Sequence, residues 1–358
     1  MTKLVMKNKV IMKELIRNAR KLKGMRSREL AQLLGIDQSL ISKFENGKRI
    51  PSETQLIQLS NILSINLEEL MKEWLMQRVL QDVRHYSFAD EVLTMVQEEL
   101  ASYHPKRAFE DLSIEKTLGE IDELKKQLDQ IRAFENHRIT EALELEYTFE
   151  SNRIEGNTLT LRETDLVVNQ GLTVSGKSMR EHLEAINHDD AIHYVKDLVS
   201  RDAVITKREL LAIHNLVLRG ILPEEAGRFR RIQVMIQGSS HMPPPPYLVE
   251  KQMEDYFIWY DRNRLNLHPI VLAAEMHERL VTIHPFIDGN GRTSRLIMNM
   301  ILLQHGFVIA NIKGDNTSRY SYYEALDAVQ SSGNKDSFIR LIAEIEKQSL
   351  ERYLSILQ

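Results

Sequence analysis

Residues 284–295 read HPFIDGNGRTSR, and within twelve positions they gather most of what phosphate chemistry requires. His284 has an ordinary pKa near neutrality, suited to taking a proton from a hydroxyl. Asp288 is the only carboxylate of the run, and a single carboxylate suits a Mg²⁺ that keeps most of its waters. Gly289, Asn290 and Gly291 let backbone N–H groups converge just where a helix is expected to open. Loop and helix end together form an anion nest, extended through Thr293 and Ser294. Arg292 and Arg295 lie three apart, hence on one face, and can clamp further phosphates. A zinc-protease reading fails, because His277-Glu278 and His284 stand seven apart rather than the four of H-E-x-x-H.

The elements that must hold this loop are helices. VLAAEMHERLVTI precedes it and is stopped by Pro285, and LIMNMILLQHG follows it. A rival phosphate loop, GLTVSGKS at 171–178, satisfies G-x-x-x-x-G-K-[ST]. Such a loop needs a buried strand before it in an alternating βαβ chain. The preceding LTLRETDLVVNQ has no short apolar run, and nearly every periodic segment of the chain is helical. Ser178 and Glu181 instead form a capping box opening the helix SMREHLEAINHDDAIHYVKDL.

At 358 residues, with 42% hydrophobic and 27% charged, the chain is long enough for two or three globular domains. There is no cysteine, which excludes thiol nucleophiles, disulfides and Cys-ligated zinc and suits a reducing cytosol. No run of about 18 apolar residues is present and the start lacks a signal-peptide core, so the expectation is a cytoplasmic protein without membrane contact. Charge is uneven. Residues 1–75 hold 14 Lys and Arg against 8 Asp and Glu, leaving −10 for the remainder of a chain of net charge −4. A basic block on an acidic body fits a nucleic-acid partner for that block alone, and on charge alone it fits a solvated basic surface equally well.

The block 11–74 reads as five short helices, with Ser27 and Asp37 as N-caps and Gly24, Gly35 and Gly47 as stops. Its SRELAQLLGIDQSLISKFENGKRIPS resembles the Cro/repressor-type (XRE) helix-turn-helix family. The resemblance implies a recognition helix presenting Gln38, Ser39, Ser42 and Lys43 to DNA, with Lys48 and Arg49 on phosphates. Residues 75–138 read as a helical connector of mixed charge with no site of their own. The prolines 243–246 read as a stiff spacer beside a hairpin.

HPFIDGNGRTSR also matches the Fic motif H-P-F-x-[DE]-G-N-G-R-x-x-R at every fixed position, and the resemblance extends over roughly 115–350. It implies a mostly α protein: the five-helix head, the connector, and an all-α Fic domain over 139–350 with a small β-hairpin flap. The implied reaction moves AMP from ATP, with Mg²⁺, to a Ser, Thr or Tyr hydroxyl of a target protein or of the chain itself. His284 is the general base and Asp288 the metal ligand. Gly289, Asn290, Gly291 and Arg292 hold the α- and β-phosphates, and Arg295 holds the γ-phosphate. GRFRRIQVMIQG resembles the flap, with Val234, Met235, Ile236 and Gln237 lining nucleotide and target. Tyr322 and Tyr323 fall near the adenine, and Gln330 stands where some relatives have Asn.

Ser151-Asn-Arg-Ile-Glu155-Gly156 matches the family's inhibitory motif, on a helix expected at about 141–156. The resemblance implies that Glu155 pairs with Arg295 and blocks the γ-phosphate. Two other readings stay open: a DNA-binding regulator whose Fic part senses ATP or modifies itself, and a de-AMPylase that uses Glu155. A homodimer is expected by analogy alone.

Overall fold

The computed structural model describes residues 12–86, 88–102, 109, 111, 113–132, 137–236 and 238–357. The chain divides into two units, residues 1–105 and 106–358. Each has its own apolar core.

The first unit holds α1 (Met12–Leu22), α2 (Ser27–Leu33), α3 (Gln38–Glu45), α4 (Glu53–Leu63), α5 (Leu67–Val83) and α6 (Ala89–Ser102). Its core gathers Ile16, Leu30, Ile41, Phe44, Leu56, Leu59 and Trp74. Asp37 caps α3 as expected, its carboxylate accepting from the Ser39 N–H at 2.7 Å. Ser27 is not the cap of α2: that place falls to Arg26, and Ser27 is the first helical residue. Glu29 reaches back to the Arg26 N–H at 2.7 Å and supplies the terminal bond instead. Glu45, buried at the end of α3, is gripped by Arg20 of α1 at 2.9 Å. The Trp74 indole N–H donates to the Pro51 carbonyl at 2.8 Å, tying α5 to the loop before α4.

The second unit contains α7 (Ser113–Ile131), α8 (His137–Ile154), α9 (Leu161–Val168), α10 (Met179–Ser200), α11 (Lys207–Leu218) and α12 (Pro246–Asn263). It is completed by α13 (Pro269–Ile283), α14 (Asn290–Gln304), α15 (Asn316–Ser332) and α16 (Asp336–Leu357). α13 and α14 are buried on nearly every face, with their apolar runs in the centre of the unit. They pack against each other, with α10 and α11 against α14, and α16 against α13. α7 lies along α16. The rigid central pair therefore carries the 284–295 loop on its connection.

No strand occurs among the described residues, so the expected flap does not pair as a β-hairpin there. The reason lies in the prolines: Pro243 to Pro246 have no N–H to donate to a ladder. Side chains join the two arms instead. Arg230 donates to the Pro244 carbonyl at 2.6 Å, and Gln233 to the Pro243 carbonyl at 2.9 Å. Pro245 and Pro246 then start α12, a position that needs no N–H.

Candidate active site

His284 terminates α13 in a left-handed conformation, φ 49°, which a non-glycine residue adopts only when its surroundings impose it. Arg230 imposes it: buried at 2% exposure, its side chain donates to the His284 carbonyl and its backbone N–H to the Pro285 carbonyl, both at 2.8 Å. The imidazole Nδ1 donates to the Val281 carbonyl at 3.3 Å, which leaves Nε2 as the basic nitrogen. Burial pushes the His284 pKa down to about 4, with nearby Arg230 and His241 adding to it against the opposing Val281 bond and Glu155 charge. The imidazole is therefore neutral at physiological pH.

The loop is braced from beneath. The Asn290 side chain accepts from the Phe286 N–H at 3.0 Å and donates to the Phe286 carbonyl at 2.9 Å, so what Asn290 offers a phosphate is its backbone N–H. His214 stacks flat on Phe286 with ring centroids 3.6 Å apart. Its Nδ1 accepts from Gly227, which fixes the tautomer and lets Nε2–H donate to the Asp288 carbonyl at 3.0 Å. Gly289, at φ 78°, turns the chain into α14, whose first N–H groups have no carbonyl partner in the helix.

The nest is already faced by an anion. Glu155 follows directly on α8, which stops because Gly156 adopts φ 95°. A Cβ built on Gly291 would lie only 2.3 Å from Glu155 Oε1, so this carboxylate rests on the Gly291 backbone at the N-terminus of α14. Arg295, buried at 1% exposure, donates to Glu155 Oε1 at 2.7 Å, to Ser151 Oγ at 3.0 Å and to the Ser151 carbonyl at 2.9 Å. Its Nη1 has no hydrogen-bond partner among the described residues, nor has Arg292 Nε. Donors buried and unsatisfied beside a helix N-terminus are what a polyphosphate would complete.

Asp288 is exposed enough to meet a metal, with 30% of its side chain accessible. Burial pushes its pKa up, but Arg292, the Gly289 N–H and Arg180 together outweigh burial and hold it below the usual carboxylate value. Among the described residues no three acidic or imidazole groups form a metal cage. A lone carboxylate fits Mg²⁺ that takes its other ligands from water and phosphate.

The remaining candidates divide. Thr293 and Ser294 are fully buried, and the Ser294 hydroxyl donates to the Gly291 carbonyl at 2.9 Å. Tyr322 is buried with its hydroxyl 3.0 Å from His277 Nε2, whereas Tyr323 is 39% exposed and donates to the Ile154 carbonyl at the end of α8. Val234 and Ile236 are half-buried and Met235 is exposed; Gln237 lies outside the described residues. Gln330 accepts from Ser239 at 3.4 Å, past the end of the arm that carries them. In the first unit, Gln38, Ser39, Ser42, Lys43, Lys48 and Arg49 are all exposed. The backbone N–H groups of Lys48 and Arg49 return to the Lys43 carbonyl, so all six share the region of α3.

Sequence reasoning passed over Arg180, Glu184, His214 and Arg230. Arg180 donates to Asp288 at 2.6 Å and to Glu184 at 3.0 Å, and Glu184 also pairs with Arg292 at 3.3 Å. The spacing of Arg180 and Glu184, four apart behind the Ser178 cap, is the one signal that could have marked them.

A helix–loop–helix with a glycine turn, a neutral histidine and two buried arginines makes an anion-accepting site in a unit whose described elements are all helices. Residues 204–302 match the model of the Fic/DOC family, and residues 16–70 match a helix-turn-helix model. The chain thus carries a Fic/DOC domain behind a helix-turn-helix domain. Over 242 residues it is 39% identical to a protein adenylyltransferase Fic of Nematostella vectensis, an alignment covering 66% of this chain and 56% of the relative. A Drosophila mojavensis protein of the same description is 35% identical over 243 residues, 67% of this chain and 47% of its own length. The chain spans about half the length of these curated relatives. Among solved structures, Fic-1 from C. elegans superposes with a TM-score of 0.62 at 26% identity, covering 97% of this chain and 98% of that one. A Fic family protein from Desulfovibrio desulfuricans G20 gives 0.60 at 28% identity, covering 71% and 77%. No described helix is long and apolar enough to cross a membrane.

Proposed function

We propose that the second unit transfers AMP from ATP to a protein hydroxyl and that Glu155 restrains it. The observation that carries this reading is the Glu155 carboxylate resting on Gly291 while paired with buried Arg295 at 2.7 Å. A site built for anions is held by the chain's own anion. With Glu155 displaced, Arg295 meets the γ-phosphate, and the backbone N–H groups of Asn290, Gly291 and Arg292 meet the other phosphates. His284 Nε2 takes the proton of the target hydroxyl as its oxygen attacks the α-phosphorus, and pyrophosphate leaves. Mg²⁺ on Asp288 would neutralise phosphate charge. The target segment lies along residues 230–236, and DNA is bound through the exposed face of α3.

Incubation with α-labelled ATP tests this. Glu155→Gly is expected to raise label on protein by about tenfold, the worth of one charge-assisted hydrogen bond, and His284→Ala to abolish it. An unlabelled Glu155→Gly protein that still binds DNA would favour a nucleotide-sensing regulator. One observation favours the de-AMPylase reading as well: Glu155 lies close enough to His284 for its charge to act on the imidazole. Loss of AMP from a modified target, abolished by Glu155→Gly, would establish it.

A further inference from the structure

The place a divalent cation would take on Asp288 is held by a cation of the protein. Asp288 Oδ1 accepts from the Gly289 N–H at 2.6 Å and lies 3.4 Å from Arg292 Nη2. Oδ2, the oxygen left for a metal, accepts from Arg180 Nη2 at 2.6 Å. We infer that Arg180 is a second restraint on this site, one that acts on the metal rather than on the γ-phosphate. The inference rests on the assignment of Asp288 as the metal ligand.

Three observations support it. Arg180 is the second residue of α10, where the positive helix end disfavours a cation, so the carboxylates of Asp288 and Glu184 are what hold it there. It is free to leave: its side chain is 53% exposed, and Nε already holds Glu184 at 3.0 Å, so the guanidinium keeps a partner when it gives up Asp288. Arg292 cannot play this part, because it is 2% exposed and wedged between Asp288 and Glu184. The two restraints also stand on separate elements, Glu155 after α8 and Arg180 on α10.

The test measures binding, not turnover. Calorimetry on the full chain in a Glu155→Gly background gives the affinity for a non-hydrolysable ATP analogue, with excess Mg²⁺ and with EDTA. The ratio of the two affinities reports how strongly the metal is held. Arg180→Gln is expected to raise this ratio about fivefold, the upper range for a half-exposed ion pair. Arg180→Lys, which cannot span Asp288 and Glu184 together, should raise it less and serves if the glutamine variant does not fold. An unchanged or lowered ratio in the folded variant overturns the inference. Asp288→Asn checks the underlying assignment separately: if the ratio survives that change, Asp288 is not the ligand, whatever Arg180 does.

Discussion

At the scale of single residues, the site works by placing charged groups where water cannot screen them. Arg292 and Arg295 are among the largest fully buried side chains, each left with an unsatisfied donor. Their burial keeps a permanent positive potential under the nest. The same burial keeps His284 neutral, and this has a visible consequence. An unperturbed histidine would lose its basic form near pH 6.5, whereas His284 becomes protonated only as pH falls through about 4. The transfer rate at low substrate is therefore expected to stay flat from pH 8 to about pH 5 and to fall only below that, given the depressed value at His284. An acid limb near pH 6.5 in the Glu155→Gly enzyme would show that the imidazole is solvated.

At the scale of elements, caps do much of the positioning. Ser178 and Glu181 close the start of α10, and Glu181 also accepts from the Thr158 N–H at 3.0 Å in the segment that leaves the Glu155 turn. These bonds pull the Glu181 pKa down to about 2, Thr158 contributing most. Lys177 donates to the Thr158 hydroxyl at 3.0 Å. Lys177, near the end of the segment that imitates a phosphate loop, and Glu181 just beyond it thus clasp the chain that follows α8. Ser178→Ala should lower stability by about 1 kcal/mol, as lost N-caps do, read as a shift in urea midpoint that Ser178→Thr largely restores. Much of this was legible beforehand. The capping box, the five head helices and the loop between α13 and α14 follow from local spacing and end signals. Arg230, His214 and Arg180 were not, because each meets the loop from far along the chain, and no local period records that meeting. The segment 232–236 is different again: Ile232, Val234 and Ile236 alternate as in a strand, yet no strand forms there among the described residues, and Pro243 to Pro246 of the facing arm have no N–H for a ladder.

For the whole molecule, the asymmetry of charge has a functional side. The first 75 residues carry an excess of six positive charges in a chain that is acidic as a whole. Binding of DNA should therefore weaken steeply with salt. Because Lys48 and Arg49 are exposed beside α3, replacing both by alanine should reduce the slope of log affinity against log salt by about two. A slope near zero in the unaltered protein would remove the DNA assignment and leave the head as a protein-contact module.

Gly291 shows how such a lock constrains the paths open to mutation. The position faces two anions in turn, the carboxylate now resting on it and the phosphate proposed to replace it. Any side chain there would strike the Glu155 carboxylate, only 2.3 Å from where a Cβ would stand. A change at 291 that dislodges the inhibitor therefore also fills the space reserved for the nucleotide. Loss of restraint with retained chemistry is reachable from the Glu155 side and closed from the Gly291 side, so activating variants selected in a random library should cluster on the turn after α8 and spare the nest.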